Sequence, residues 1–106
     1  MTEGRIALVT ASSRGIGREI AIRLADDVAA VAVHFKSNGQ AAEEVLAEIK
    51  KKGKLGRAFP ADLDKENEAA SLVRAVEAEF GRVDILVNNY GPLISKPWQD
   101  ATTEDW

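Results

Sequence analysis

The run Ile6-Ala7-Leu8-Val9 is apolar at every position and leads into small residues. A short run of that kind predicts a strand covered on both faces in a parallel sheet. Beyond the small residues, Ile16, Ile20 and Leu24 recur every fourth position with Ala21 and Ala25 beside them. They trace one face of a helix that starts near residues 14–17. "VAAVAVHF", residues 28–35, is apolar and β-branched and predicts a second strand. Ser37 followed by Gln40 resembles a capping box, and Ala42, Val45, Leu46 and Ile49 then mark a helical face. Glu43 and Glu44 early, Lys50 to Lys52 late, and Gly53 just beyond suit the dipole and a glycine stop. A third strand is expected over 56–61. Asp64 is expected to cap a third helix carrying Ala69, Leu72, Val73, Val76 and Phe80. "DILVNN" predicts a fourth strand over 84–88, and "TTED" after Pro97 opens a further helical turn.

The order β-α-β-α-β-α-β, without repeat or linker, predicts an α/β fold: a doubly wound parallel sheet with right-handed crossovers. It is expected to be incomplete, with four strands, three helices and the start of a fourth helix. The 106 residues, 45% hydrophobic and 29% charged, suit one globular domain. A formal net charge of −3 argues against nucleic acid or an anionic membrane as the main partner. Cysteine is absent and His34 is the single histidine, so neither a disulfide framework nor a His- or Cys-built metal site is expected. No apolar run approaches the roughly 18 residues of a membrane span, and the first ten residues do not read as a secretory leader. The cytoplasm is the expected location.

Candidate chemistry centres on "VTASSRGIG", residues 9–17, which lies where the first strand feeds the first helix. Unpaired amides and the helix dipole attract anions there, and Gly15 and Gly17 would let the backbone approach a phosphate. The same glycines are also compatible with a tight turn that binds nothing.

Three further features resolve that choice. "TASSRGIG" resembles the Thr-Gly-x-x-x-Gly-x-Gly cofactor loop of the short-chain dehydrogenase/reductase family, "ADL" at 61–63 resembles its Asp-Leu/Val element, and "NNYG" at 88–91 resembles its Asn-Asn-Ala-Gly. The similarity runs from Arg5 to Trp106 and is greatest to the 3-oxoacyl-acyl-carrier-protein reductase branch. The resemblance implies a Rossmann-like, dinucleotide-binding N-terminal portion. It implies that Ser12, Ser13, Arg14 and Ile16 border the adenosine and diphosphate of the cofactor. Asp62 would accept from the adenine amino group, Leu63 would line the adenine pocket, Asn89 and Gly91 would flank ribose and diphosphate, and Asn88 would stabilise the central strand.

Three residues depart from that pattern. Ala11 stands at a usual glycine, which costs about 1 kcal/mol if positive φ is needed. Val28 stands where glycine commonly ends the first helix, so that helix should end by another geometry. Tyr90 replaces an alanine, to stack near the cofactor or pack over the loop.

A fold that prefers NAD commonly places a carboxylate at the end of the second strand. This chain has Phe35 and Lys36 there. Lys36 and Arg14 offer cations to a 2′-phosphate, and NADP(H) is the expected cofactor. The family's catalytic tyrosine is followed four residues later by a lysine. The single tyrosine here, Tyr90, is followed at that spacing by Ile94, so no catalytic residue is assigned in these 106 residues. Three readings follow: an NADP(H)-dependent ketone reductase, such as one acting on 3-oxoacyl thioesters, whose catalytic half is missing; a non-catalytic nucleotide-binding or redox-sensing module; or a structural piece completed by a partner chain. The fourth strand would leave an open sheet edge, which invites self-association.

Overall fold

The structure is a computed structural model that describes residues 4–65 and 67–89. Four strands, β1 (Ile6–Val9), β2 (Ala30–Phe35), β3 (Leu55–Pro60) and β4 (Ile85–Val87), alternate with three helices, α1 (Gly15–Leu24), α2 (Gly39–Lys51) and α3 (Glu68–Phe80). The strands pair in parallel in the order β3-β2-β1-β4. This is the expected doubly wound α/β sheet. The further helical turn after Pro97 lies outside the described residues.

Alternation along the buried strands divides the core into two layers. Ala7, Val9, Val31 and Val33 face α1 and α2, where Ala21, Ala25, Val45 and Ile49 complete one cluster. Ile6, Leu8, Ala30, Ala32 and Phe59 face α3, meeting Leu72 and Val76. Phe59 and Phe80 add an edge-to-face contact with ring centroids 6.4 Å apart. The chain steps outward from β1 to β3 with α1 and α2 on one face. It then returns through α3 on the other face to place β4 against the opposite side of β1. The direction of winding therefore reverses between β1 and β4, and crevices for ligands form at the carboxyl ends of such strands.

Several local expectations shift. Strand β2 begins at Ala30 rather than at 28, because Val28 is buried in the turn that follows α1. Helix α1 ends with Ala25 in the right-handed region, and Asp26 and Asp27 donate to the carbonyls of Arg23 and Leu24. No left-handed cap is used, so Val28 is tolerated. Helix α2 is capped by Asn38, whose Oδ1 accepts from Ala41 N at 3.0 Å; Ser37 is not the cap. Gly53 has φ +77, the expected glycine stop. Strand β3 runs one residue earlier than expected. Helix α3 starts after Asn67, not at Asp64, because Asp64 lies in a turn in which its N–H donates to Asp62 Oδ1 and Lys65 N donates to Asp62 O.

The phase of α1 also differs. Its buried positions are Gly17 and Ala21, continued by Ala25, while Ile16 is 73% exposed and Ile20 and Leu24 are only partly covered. The helix approaches the sheet through its small residues, which sets the buried face one position later than the large apolar residues suggest.

The layer between β2, β3 and α2 should dominate stability. Ile49→Ala is expected to destabilise the chain by about 2–5 kcal/mol, as for other fully buried aliphatic truncations. Leu55→Ala, at a position 65% exposed, should stay within about 0.5 kcal/mol. Urea unfolding followed by circular dichroism distinguishes the two.

Candidate nucleotide-binding site

The loop between β1 and α1 is fixed by three consecutive amides. Thr10 N donates to Val87 O at 3.0 Å, Ala11 N to the ring nitrogen Nδ1 of His34 at 2.8 Å, and Ser12 N to His34 O at 3.0 Å. Side chains complete the frame. Ser12 Oγ donates to Val9 O (2.7 Å) and accepts from His34 N (3.0 Å). Thr10 Oγ1 accepts from Asn89 N at 2.8 Å and lies 3.2 Å from Asn88 Oδ1. Asn88 thereby ties the end of β4 to the end of β1.

Beyond Ser12 the pattern changes. The amides of Ser13, Arg14, Gly15, Ile16 and Gly17 donate to no acceptor among the described residues. They form the start of α1, where the helix dipole is positive. Gly15 has φ +65 with open space where a side chain would project. This segment can receive an anion.

Ala11 adopts φ +50, the one left-handed non-glycine residue among those described. The departure from glycine noted in the sequence therefore falls on a position that does use positive φ. Gly17 also has a packing role besides the phosphate approach expected of it. A Cβ there would overlap the Ala11 carbonyl and come within 2.7 Å of Asn89 Nδ2. Glycine is needed so that α1 can rest on the Ala11 peptide.

The sequence-predicted residues converge on this end of the sheet. Ser13 is buried, while Arg14 and Ile16 are exposed at the start of α1. Ser12 is fully buried with its hydroxyl engaged internally, so its side chain shapes the loop rather than facing a ligand. Asp62 and Leu63, after β3, are partly buried. Asn89, after β4, reaches Ala11 O with Nδ2 at 3.4 Å. Gly91 and Tyr90 lie outside the described residues.

Lys36 is placed as expected but is not a free cation. Its Nζ lies 3.3 Å from Asp64 Oδ2 and 3.7 Å from Asp62 Oδ1. The Asp64 hydrogen bond, with the charges of Asp62 and Asp64, holds the Lys36 ammonium above its ordinary pKa. Arg14, by contrast, makes no ion pair among the described residues. Glu68, at the first turn of α3, was not singled out in the sequence. Its Oε1 accepts from Asp62 N at 2.7 Å and orients the loop after β3. His34 was considered only as a metal ligand. The one polar residue inside an otherwise apolar strand is the available signal of its role. No group of three metal-ligating side chains is found among the described residues.

A parallel sheet whose winding reverses beside a loop able to receive an anion defines a Rossmann-like α/β protein. A sequence model of the short chain dehydrogenase family matches residues 5–106, and the chain belongs to that family. It is 41% identical over 103 residues to a hydroxynaphthalene reductase-like protein of Metarhizium majus, covering 97% of this chain and 39% of that protein. Among solved structures, a dehydrogenase/reductase from Sinorhizobium meliloti superposes with a TM-score of 0.81 at 37% identity, over 97% of this chain and 41% of the other. A short chain dehydrogenase from Burkholderia cenocepacia in complex with NADP also gives 0.81, at 39% identity over 98% and 42%. The chain thus spans about two fifths of the length of these relatives. Among the described residues, no helix is long and apolar enough to cross a membrane.

Two substitutions test the loop geometry. Ala11→Gly should stabilise the chain by about 1 kcal/mol by relieving the left-handed alanine. Gly17→Ala should destabilise it by about 1–3 kcal/mol, because backbone must shift to admit the methyl group. Denaturant midpoints with unchanged slopes would establish both.

Proposed function

We propose that this chain is the N-terminal, dinucleotide-binding portion of an NADP(H)-dependent oxidoreductase that reduces a ketone such as a 3-oxoacyl thioester, in the cytoplasm. The observation that carries the reading is the β1–α1 loop. Its first three amides are engaged internally, its next five are left for an anion, and cationic Arg14 and Lys36 flank it. The residues fit the cofactor. The Ser13–Gly17 backbone would hold the diphosphate, with Asn89 and Gly91 beside it. Asp62 and Leu63 would take the adenine, and Arg14 with Lys36 the 2′-phosphate. When bound, the nicotinamide supplies the hydride that a ketone accepts.

The NADP complex of the Burkholderia relative supports the choice of cofactor. The acidic partners of Lys36 moderate it, because a 2′-phosphate has to compete with Asp62 and Asp64. Arg14 carries no such competition. The reductase name of the Metarhizium relative supports the direction of reaction. A 3-oxoacyl thioester is the substrate that the sequence resemblance suggests.

Isothermal titration calorimetry with NADPH and NADH tests the cofactor. A charge-assisted hydrogen bond to phosphate is worth about 1.5–3 kcal/mol. NADPH should therefore bind about tenfold to a hundredfold more tightly than NADH, with the margin shrinking as salt rises. Arg14→Ala should erode the preference more than Lys36→Ala, and Lys36→Glu should erase most of it. Equal affinities of the unmodified chain for both cofactors would refute NADP(H) selectivity.

Tyr-x-x-x-Lys is absent from these residues, and loss of general acid catalysis lowers rates by about 10² to 10⁴. The chain alone should therefore bind cofactor without oxidising NADPH in the presence of an acetoacetyl thioester. Turnover that survives Tyr90→Phe would refute that assignment. The same portion should self-associate. Among the described residues strand β4 is a sheet edge, and Leu86 on it is 57% exposed beside an apolar groove formed with Leu63, Leu72 and Val73. Sedimentation should show mass rising with concentration, whereas a monomer at every concentration would exclude the edge as an interface.

A further inference from the structure

His34, the penultimate residue of β2, is 1% exposed, with its ring between two loops of the site. Its partners fix its protonation. Ala11 N–H, 2.8 Å from Nδ1, can only donate, so Nδ1 accepts. Ala61 O, 2.9 Å from Nε2, can only accept, so Nε2 bears the hydrogen. The ring is therefore the neutral Nε2–H tautomer. The other neutral tautomer would set donor against donor at Ala11 and lone pair against lone pair at Ala61. The first loop carries the left-handed Ala11 and leads to the anion-receiving amides, and the second carries Asp62 and Leu63.

We propose that His34 is a positioning residue for the nucleotide site: its neutral imidazole, accepting from the Ala11 amide and donating to the Ala61 carbonyl, fixes the phosphate loop after β1 relative to the adenine loop after β3. The proposal rests on the dinucleotide reading of the site. It goes beyond it by coupling the two ends of the ligand through one buried ring that touches neither.

The coupling makes binding sensitive to acid. Among the described residues, the loops that meet the ring carry Arg14, Lys36, Asp62, Asp64 and Lys65 as their ionisable groups, and Glu68 opens α3. Burial is the larger influence on the imidazole and lowers its pKa below the ordinary histidine value, with the Ala61 hydrogen bond opposing. Protonation would place an Nδ1–H against the Ala11 N–H and break the grip on the loop. A histidine held neutral in the fold contributes stability that is fully present above its unfolded pKa. That contribution is lost as pH falls from there toward the depressed folded value. Nucleotide affinity is expected to fall in the same direction.

Two measurements on the whole chain decide the matter. Long-range ¹⁵N–¹H correlation of the imidazole should show the Nε2–H tautomer alone at neutral pH, titrating below the ordinary histidine range, with slow hydrogen exchange at the Ala11 amide. An Nδ1–H tautomer, or a mixture titrating at the ordinary value, overturns the proposal. In the second, NADP⁺ affinity is followed between about pH 7 and pH 5, the range in which histidine changes charge. Wild type should weaken with acid more steeply than His34→Asn, in which only the ligand's 2′-phosphate, with its second pKa at about 6, titrates. His34→Phe should bind about tenfold more weakly at pH 7, and His34→Asn, which keeps a donor and an acceptor, should recover part of that affinity. Equal affinity of His34→Phe and wild type, or the same acid dependence in His34→Asn, overturns it. If His34→Phe fails to fold, the wild-type tautomer and Ala11 exchange still decide. Failure of wild type to bind NADP⁺ at any pH would count against the dinucleotide reading, while the tautomer measurement would still judge the contact between ring and loops.

Discussion

The internal engagement of the Thr10, Ala11 and Ser12 amides is the constraint on which the rest of the site depends. Each donates to a neighbouring strand or its side chain: Thr10 to β4, Ala11 and Ser12 to His34 of β2. With those three fixed, the chain enters α1 with its next amides in the uncapped first turn, a position that favours negative charge. The same path requires positive φ at Ala11 and a bare Cα at Gly17. Small residues at positions 17, 21 and 25 then let the helix lie close on the sheet. Backbone geometry at one strand end thus sets helix phase, core packing and ligand chemistry together.

Electrostatics around that loop are more balanced than a count of cations suggests. Lys36 is 54% exposed and shared between two carboxylates, so its attraction for a phosphate is offset before any ligand arrives. Exposed ion pairs of this kind are individually weak, at about 0–1 kcal/mol, and can be exchanged. A phosphate that took Lys36 would also release Asp62, the residue expected at the adenine. In the proposed reading, recognition of the 2′-phosphate and of the base would thus be linked through one carboxylate. Arg14, just before α1, brings a charge without that competition.

Much of this was legible in the sequence because it rests on period and order. Apolar runs at 6–9 and 30–33 can be buried on both faces only in a parallel sheet, and the alternation with amphipathic helices fixed the winding. The elements at 10–17, 61–63 and 88–91 that carry the family resemblance follow strands in the sequence, and the described residues of all three lie at one end of the sheet. What could not be read was set by partners distant in sequence. Ser37 and Asn38 are both competent caps, and only the path of the chain selected Asn38. Asp64 lies instead in a turn closed on Asp62, with its carboxylate against Lys36, 28 residues earlier in the chain. Ile16 follows the helical period yet faces outward, because the close approach at Gly17 turned the helix. His34 carries no motif, and its function appears only where the loops after β1 and β3 meet across the ring.

The central claim is that one strand-end loop, framed by its neighbours, receives the phosphates of a nicotinamide dinucleotide. Mapping backbone amide shifts of the ¹⁵N-labelled chain during titration with NADP⁺ tests it most directly. The account predicts saturable shifts concentrated at residues 13–17, with smaller ones at Lys36, Asp62, Leu63 and Asn89, and the α2 surface unmoved. Shifts centred elsewhere, or none at saturating nucleotide, would contradict it.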